Sequence, residues 1–405
     1  MYLKRWSVLA LLLCFGLLTN SCDNEVDVVG DWKEVPVVYG VINPLPLFEP
    51  MEPHYIRIEK AFLDPRTDAF QIAQRPDSLY YGPFDLEVIL FQQSLQGSQV
   101  ISTALDTLER VSAVDEGFGD REEGIFAASP NYIYKSDAVV PVGAYLMLKV
   151  KNLSSGKEYD IYTKAIQAGD LDLTGQTFRN FRVNTPSTSL GVKWVNYDQG
   201  SQDWIFRDIN FNWATPTDAA VYDLSLDIHY YEFEVDESQT GEPEIAGTRV
   251  LKTLTWTPFR SIMASGSSEP KGLCSACPAT YERFVEGDGS VAQEINGENF
   301  FRYLASNLSS TTDNNIRRCF SHFDVQVDAA GVDLANYLKA NAANQTLVGG
   351  LFPAEPYTNV PDGYGIFTTK MFTNKKGYDL DDEVLEYLKF GEITRDLGFR
   401  DYSCN

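Results

Sequence analysis

YDLSLDIHY is the sequence of residues Tyr222 to Tyr230, and its alternation decides the fold class of this chain. Large apolar residues occupy every second position, and acidic or polar residues lie between them. Successive side chains of a β-strand point to opposite faces, so this period of two predicts a strand with one buried face and one polar face. His229 belongs to the predicted polar face.

The same alternation recurs on both sides of this stretch, which predicts a mainly β protein. A hairpin is predicted at residues 145–163, where the turn sequence NLSSG at 152–156 joins two such segments. The other alternating segments are 56–59, 84–90, 209–213, 250–256 and 323–327.

Polar residues at 184–189 mark a predicted boundary between two domains. The spacing of strands and turns over 36–185 predicts an immunoglobulin-like or fibronectin III-like β-sandwich. Residues 190–405 are predicted to form a β-rich α+β domain with a few helices. Helices are predicted at 69–74, 298–306, 333–340 and 381–390, and a polar, mobile loop at 236–247.

The start of the chain has the pattern of a bacterial lipoprotein signal. Lys4 and Arg5 precede an apolar run over 6–18, and the sequence LTNSC then ends at Cys22. We expect residues 1–21 to be removed as a signal peptide and Cys22 to carry lipid. Cleavage of a plain signal peptide nearby is the alternative. The apolar run is too short for a membrane span, which needs about 20 apolar residues.

Charge limits the partners of the mature chain. Residues 1–21 carry Lys4 and Arg5 and no acid, so removing them from a chain of net charge −24 leaves −26. Such a body repels nucleic acid and broad anionic lipid surfaces, so attachment to a membrane is expected through the lipid alone. Residues 22–35 are predicted to be an acidic tether, interpreted either as a solvated linker or as a sorting signal for the outer face of the outer membrane.

Four cysteines remain when Cys14 leaves with the signal peptide and Cys22 carries lipid. They are Cys274, Cys277, Cys319 and Cys404. An even number in an oxidising compartment predicts two disulfides, and their spacing leaves all three connectivities open.

Zinc is the alternative for the same cysteines. Cys274 with Cys277 reads CxxC, and Cys319 with His322 reads CxxH, which is ligand spacing for a four-coordinate structural zinc. Cys404 is not one of the zinc ligands in this alternative. The oxidising compartment favours disulfides, so no metal or other cofactor is expected.

Motifs for catalysis are missing from the sequence. It contains no GxSxG elbow, no HExxH and no Walker P-loop. His54 and His229 have no histidine or cysteine at ligand spacing, so both are expected to be surface residues. A hydrolase that uses two carboxylates is harder to exclude, because such a pair needs no local motif. The prediction is a protein that is not an enzyme.

Several segments resemble surface-exposed outer-membrane lipoproteins of Bacteroidota. They are DWKEVPVVYGVI at 31–42, HYIRIEKAFL at 54–63, GYGIF at 363–367 and LGF at 397–399. The resemblance implies an accessory subunit on the outside of an outer-membrane β-barrel, and it brings no catalytic motif. Such barrels belong to nutrient importers, secretion translocons and the β-barrel assembly machine.

These features together favour a non-enzymatic lipoprotein, anchored in the outer membrane by lipid and facing the cell exterior. Its expected partners are an outer-membrane β-barrel protein of an assembly or secretion machine and the lipoproteins associated with it. The alternative is a glycan-binding surface lipoprotein of a nutrient importer, which rests on 6 Trp, 22 Tyr and 24 Phe. Its candidate residues are the pairs Tyr80-Tyr81 and Tyr230-Tyr231, since tyrosine combines an apolar ring with a polar tip.

Overall fold

The computed structural model describes residues 35–44, 52–61, 69–96, 99–167, 182–184, 191–236, 244–263, 291–311, 315–344 and 355–400. Within these ranges the protein is mainly β with a few helices, as the alternation predicts. No helix among them is long and apolar enough to cross a membrane. The predicted signal peptide, Cys22 and nearly all of the predicted tether lie outside them.

The strands are numbered in chain order. They are β1 (Val35–Ile42), β2 (His54–Ala61), β3 (Leu86–Gln96), β4 (Gln99–Thr107), β5 (Glu109–Ser112), β6 (Tyr132–Ser136), β7 (Tyr145–Asn152), β8 (Glu158–Lys164), β9 (Arg182–Asn184), β10 (Val195–Asp198), β11 (Asp203–Phe206), β12 (Asp208–Trp213), β13 (Ala219–Asp236), β14 (Glu244–Met263), β15 (Val291–Asn296), β16 (Ile316–Gly331) and β17 (Tyr364–Tyr378). The helices are α1 (Ala69–Ala73), α2 (Pro76–Leu79), α3 (Gly297–Asn307), α4 (Val332–Asn344) and α5 (Asp382–Phe390).

The largest sheet has eight strands in the order β14-β13-β16-β17-β1-β2-β6-β5. Its strands pair antiparallel except β1 and β17, which run parallel. A second sheet has the order β4-β3-β7-β8, a third has β15-β12-β9, and β10 pairs with β11. The eight-stranded sheet contributes side chains to both of the main hydrophobic cores.

The two largest hydrophobic cores among the described residues lie against this sheet. The sandwich core joins its β1–β2 part to the four-stranded sheet, with Val38, Ile56, Leu90 and Leu148 fully buried. The helix-covered core lies against β13 and β16, and Trp194 stacks there on Phe300 of α3 with ring centroids 4.7 Å apart. Helix α5 contributes to the same core.

Both predicted domains contribute to the eight-stranded sheet. β1 comes from the predicted first domain and β17 from the second, and Phe367 of β17 belongs to the sandwich core. In the other direction, Ile166 packs into the helix-covered core. The predicted boundary at 184–189 therefore does not divide the eight-stranded sheet.

The local signals for helices are reflected in the structure. The side chain of Asn296 accepts a hydrogen bond from the Glu298 amide at the start of α3, and Asp381 caps α5 in the same way through Glu383. The predicted loop at 236–247 is wrong at its C-terminal end, because β14 begins at Glu244. The alternation of apolar and polar residues is interrupted near the start of β14, so the sequence predicts a strand that is too short.

A buried ion pair ties β16 to β13 and to the C-terminal segment. The Arg318 side chain is only 2% exposed, and its Nη2 lies 2.9 Å from Oε2 of Glu232 on β13. Its Nη1 donates to the Ser309 carbonyl at 2.8 Å and to the Leu397 carbonyl at 2.7 Å. Lys252 is a second ion-pair partner of Glu232.

Acid is expected to weaken this structure through Glu232. Burial by itself raises the pKa of Glu232, but hydrogen bonds from Lys252 and Arg318 outweigh it and hold the pKa below its ordinary value. A lowered pKa stabilises the fold above the unfolded value of about 4.3, and that stabilisation is lost as pH falls through the folded value. Urea unfolding at pH 7, 5, 4 and 3 should therefore show the wild type losing stability more steeply than Glu232→Gln. Parallel losses would contradict the prediction.

Candidate docking face

Most of the sequence-predicted site residues lie outside the described part of the chain. These are Cys22, Cys274, Cys277 and Cys404. Cys319 is the only cysteine within it, and it is a buried residue of β16. Its environment includes Phe233 and Val235 of β13. The pairing of the four cysteines stays a prediction.

The zinc alternative at Cys274, Cys277, Cys319 and His322 also stays a prediction, because two of its four residues lie outside the described ranges. His322 lies on β16 as well, where its Nδ1 is 2.9 Å from the Ser321 hydroxyl.

The histidines differ from the surface residues that the sequence predicts. His54 is 4% exposed at the start of β2, and burial lowers its pKa from the ordinary value. His229 does lie on the polar face of β13, but only 17% of its side chain is exposed. It lies directly opposite His322 on β16. Together with Asp324, these two histidines are the described residues that lie close enough to share a metal ion.

Three of the four tyrosines proposed for sugar binding are buried, and the fourth, Tyr231, is partly buried against a cluster that includes Phe233 and Val235. Tyr80 and Tyr81 are each 5% exposed, and Tyr230 belongs to the helix-covered core. A stacking platform for a sugar needs an accessible ring, so these pairs lend no support to the glycan alternative.

A long loop, residues 113–131, lies over the outer side of β2 and β6. The carboxylate of Glu116 fixes it there, because the same oxygen accepts from Tyr55 at 2.7 Å and from Lys135 at 2.9 Å. These hydrogen bonds, with that from Lys135 the stronger, hold the pKa of Glu116 below its ordinary value. The ring of Phe118 then packs edge-on against Tyr55, with centroids 4.8 Å apart.

Helix α1 is joined to the far side of the same loop. The Ala127 amide donates to the Ala73 carbonyl at 3.0 Å, and the Gln74 side chain donates to the Ile125 carbonyl at 2.7 Å. Arg121 pairs with Glu59 of β2 from within the loop. The loop and the helix therefore form one surface, which we call the docking face: residues 69–74 and 113–131.

The docking face exposes five large apolar side chains. The exposed apolar residues are Phe70, Val114, Phe118, Ile125 and Phe126, the first of them 63% exposed. Acidic residues lie among them on the same loop, exposed to solvent: Asp115, Asp120, Glu122 and Glu123. Clustered exposed apolar groups with a polar rim are typical of protein interaction sites.

A cleft of about 360 Å³ lies beside the docking face. Its walls include Tyr80, Tyr132, Lys60 and Arg110. The guanidinium of Arg110 lies 3.9 Å from the ring centroid of Tyr132, and Tyr80 packs edge-on against that ring. The cleft thus offers an aromatic wall with cationic groups, in contrast to the acidic loop next to it.

A second cleft of about 280 Å³ lies between α4 and the sheet. Asp223 and Asp328, which lie opposite each other on β13 and β16, both line it, and a two-carboxylate hydrolase needs two acids in one cleft. Both carboxylates have structural partners, however: the Ser261 amide donates to Asp223 at 2.7 Å, and Lys370 lies 3.2 Å from Asp328.

Sequence reasoning missed the docking face. The only local signal is EGFGDREEGIF at 116–126, where aromatic and aliphatic residues occur among glycines and acids without any period. Apolar residues outside a periodic segment are not assigned to the buried face of a strand or helix. Their position outside such a segment could have identified these residues as exposed.

Comparison with known proteins adds no relative. No protein-family model matches the chain, and no curated protein matches it.

Proposed function

We propose that this protein is a non-enzymatic lipoprotein, anchored by Cys22 in the outer membrane and facing the cell exterior, that docks on an outer-membrane β-barrel complex of the assembly or secretion type. The observation that carries the proposal is the docking face. The signal sequence supports the membrane and the compartment, and the docking face supports a protein partner.

The chemistry of the docking face defines the partner surface. Phe118, Ile125 and Phe126 supply apolar area without hydrogen-bonding groups, which suits an apolar recess on a protein. The exposed acids around them favour a recess with lysine or arginine at its rim, because complementary charge steers association and rejects wrong partners. The partner is therefore expected to present a basic, apolar-centred surface on its extracellular side.

The glycan alternative is less well supported by the same surface. Sugars carry many hydroxyl groups, and a binding site must supply partners for them as well as ring faces. Phenylalanine and isoleucine supply none, and the tyrosines named from the sequence are buried or partly buried. Binding of a partner protein accounts better for these exposed side chains.

Charge placed on the docking face should release the partner. The double variant Val114→Asp, Ile125→Asp alters two exposed side chains and leaves the Phe118–Tyr55 contact intact. Each well-placed interface residue is worth about 2 kcal/mol, so the two substitutions together should weaken binding of the barrel protein by about 1,000-fold and abolish its recovery. The measurement is co-purification of a C-terminally tagged chain from outer membranes in mild detergent, with stoichiometry by mass spectrometry.

Two controls separate docking from anchoring and folding. Phe390→Asp replaces a side chain that is 61% exposed on α5, and it should retain the barrel. Cys22→Ser should move the chain from the membrane to the soluble fraction. If wild type carries no barrel protein in stoichiometric amount, or if Phe390→Asp loses it equally, docking through this face is excluded.

A further inference from the structure

Three metal-ligating side chains converge on the polar face of the eight-stranded sheet, away from the docking face. His229 lies on β13, and His322 and Asp324 lie two residues apart on β16. Because residues i and i+2 of a strand share a face and His229 pairs directly with His322, all three side chains rise from one side of the sheet. Their ligand atoms lie within 4.8 Å of one another.

The distances between these ligand atoms are close to those between the ligands of one bound ion. Nε2 of His229 is 3.6 Å from Oδ2 of Asp324, and Nε2 of His322 is 3.8 Å from Oδ1. Ligands around a tetrahedral zinc, each about 2.1 Å from the metal, are about 3.4 Å apart. The two nitrogen–oxygen distances therefore exceed this spacing by only a few tenths of an ångström.

Hydrogen bonds leave the same nitrogen of each histidine ring available. Nδ1 of His229 is 2.8 Å from the Thr253 hydroxyl, and Nδ1 of His322 is 2.9 Å from the Ser321 hydroxyl. Both Nε2 atoms then face the carboxylate. Metal-binding histidines are held in this way, by a second group on the nitrogen that does not ligate.

An unsatisfied group at the centre of the cluster points in the same direction. Nε2 of His229 is buried and has no hydrogen-bond partner among the described residues. A buried nitrogen without a partner costs free energy, and a metal ion would satisfy it. Asp324 is held by the Gly377 amide, which donates to Oδ1 at 2.9 Å.

We propose that His229, His322 and Asp324 bind a divalent transition-metal ion, for which zinc is the natural probe. Two imidazoles and one carboxylate suit zinc and leave a fourth position for water or for a group from another molecule. The two rings are stacked, with centroids 4.5 Å apart and planes inclined by 28°. Since imidazole lone pairs lie in the ring planes, binding requires the rings to rotate out of this stack.

This site is distinct from the sequence-predicted zinc alternative, although both include His322. The alternative uses Cys274, Cys277 and Cys319 and does not use His229 or Asp324. Variants of these last two residues therefore discriminate between the two sites. The proposal also stands independently of the docking function, because it concerns another surface.

The test is zinc binding by the full-length chain in detergent, purified through a tag without histidine and stripped with chelator. Calorimetry should give one Zn²⁺ per chain, and Zn²⁺ should raise the temperature of unfolding, since an ion that binds only the folded state stabilises it. His229→Gln and Asp324→Asn should each weaken binding by about 100-fold or more, beyond the effect of losing an outer-shell group. Co²⁺ should give a visible absorption band that both variants lose.

Two further variants complete the test. Asp227→Asn changes a neighbouring carboxylate on the same face, which accepts from Thr255, and should leave zinc affinity within about twofold, since it is not a ligand. Thr253→Val replaces the hydroxyl on Nδ1 of His229 by a methyl group and should weaken binding by about tenfold, which covers the case that a ligand variant fails to fold. Absence of saturable binding at one ion per chain, or equal affinity in wild type and His229→Gln, would overturn the proposal.

Discussion

Gly365→Ala is expected to destabilise the protein by about 4 kcal/mol, through backbone strain and a backbone clash. Gly365 lies in β17 opposite Val38 of β1, at the parallel pairing that joins the two predicted domains. Its φ is +101°, and a Cβ there would overlap the Val38 carbonyl oxygen. The strands cannot separate without breaking the eight-stranded sheet, so equilibrium unfolding in urea should shift to much lower concentration.

Gly377→Ala is the matched control for this prediction. Gly377 lies in the same strand with φ +78°, but nothing lies within 4 Å of a Cβ built on it. The control therefore carries only the cost of a positive φ, about 1 kcal/mol. Similar losses for the two variants would show that close packing of β17 against β1 contributes little.

Arg318→Met is expected to have a comparable effect, a loss of about 3–5 kcal/mol, because breaking a buried ion pair leaves its partner without compensation. The guanidinium contacts Glu232 and the carbonyls of Ser309 and Leu397. The backbone of Arg318 also pairs with Gly398 and Arg400. Amide hydrogen exchange should therefore accelerate first in residues 395–400, and only later in the other residues of the helix-covered core.

Arg302→Met is the control for the charge change itself. Arg302 pairs with Glu298 on the exposed side of α3, with 63% of its side chain exposed. Exposed pairs four residues apart in a helix contribute about 0.5 kcal/mol. Arg318→Lys should fall between the two, since lysine keeps the charge but not the planar fork that serves several acceptors. If Arg318→Met proved as mild as Arg302→Met, the buried network would not be stabilising the C-terminal segment.

The candidate sites show how far sequence reasoning reaches. It predicts the polar face of β13, and His229 does lie there. It does not connect His229 with His322, because the two come from strands far apart in the chain and meet only through the register of β13 with β16. Likewise, no local pattern places 113–131 over β2, since Tyr55 and Lys135 reach Glu116 only after the strands have paired.

The sequence by itself determined the strands, whose period of two is a local property, and the helix starts at Asn296 and Asp381, whose side chains cap the amides that follow them. The tertiary structure alone decided the parallel pairing of β1 with β17, the sharing of two cores between the predicted domains, and the meeting of His229, His322 and Asp324. The physical reason is that alternation specifies which face of a strand is buried but does not specify its neighbour. That choice depends on packing between residues distant in the chain, such as Val38 with Phe367 in the sandwich core.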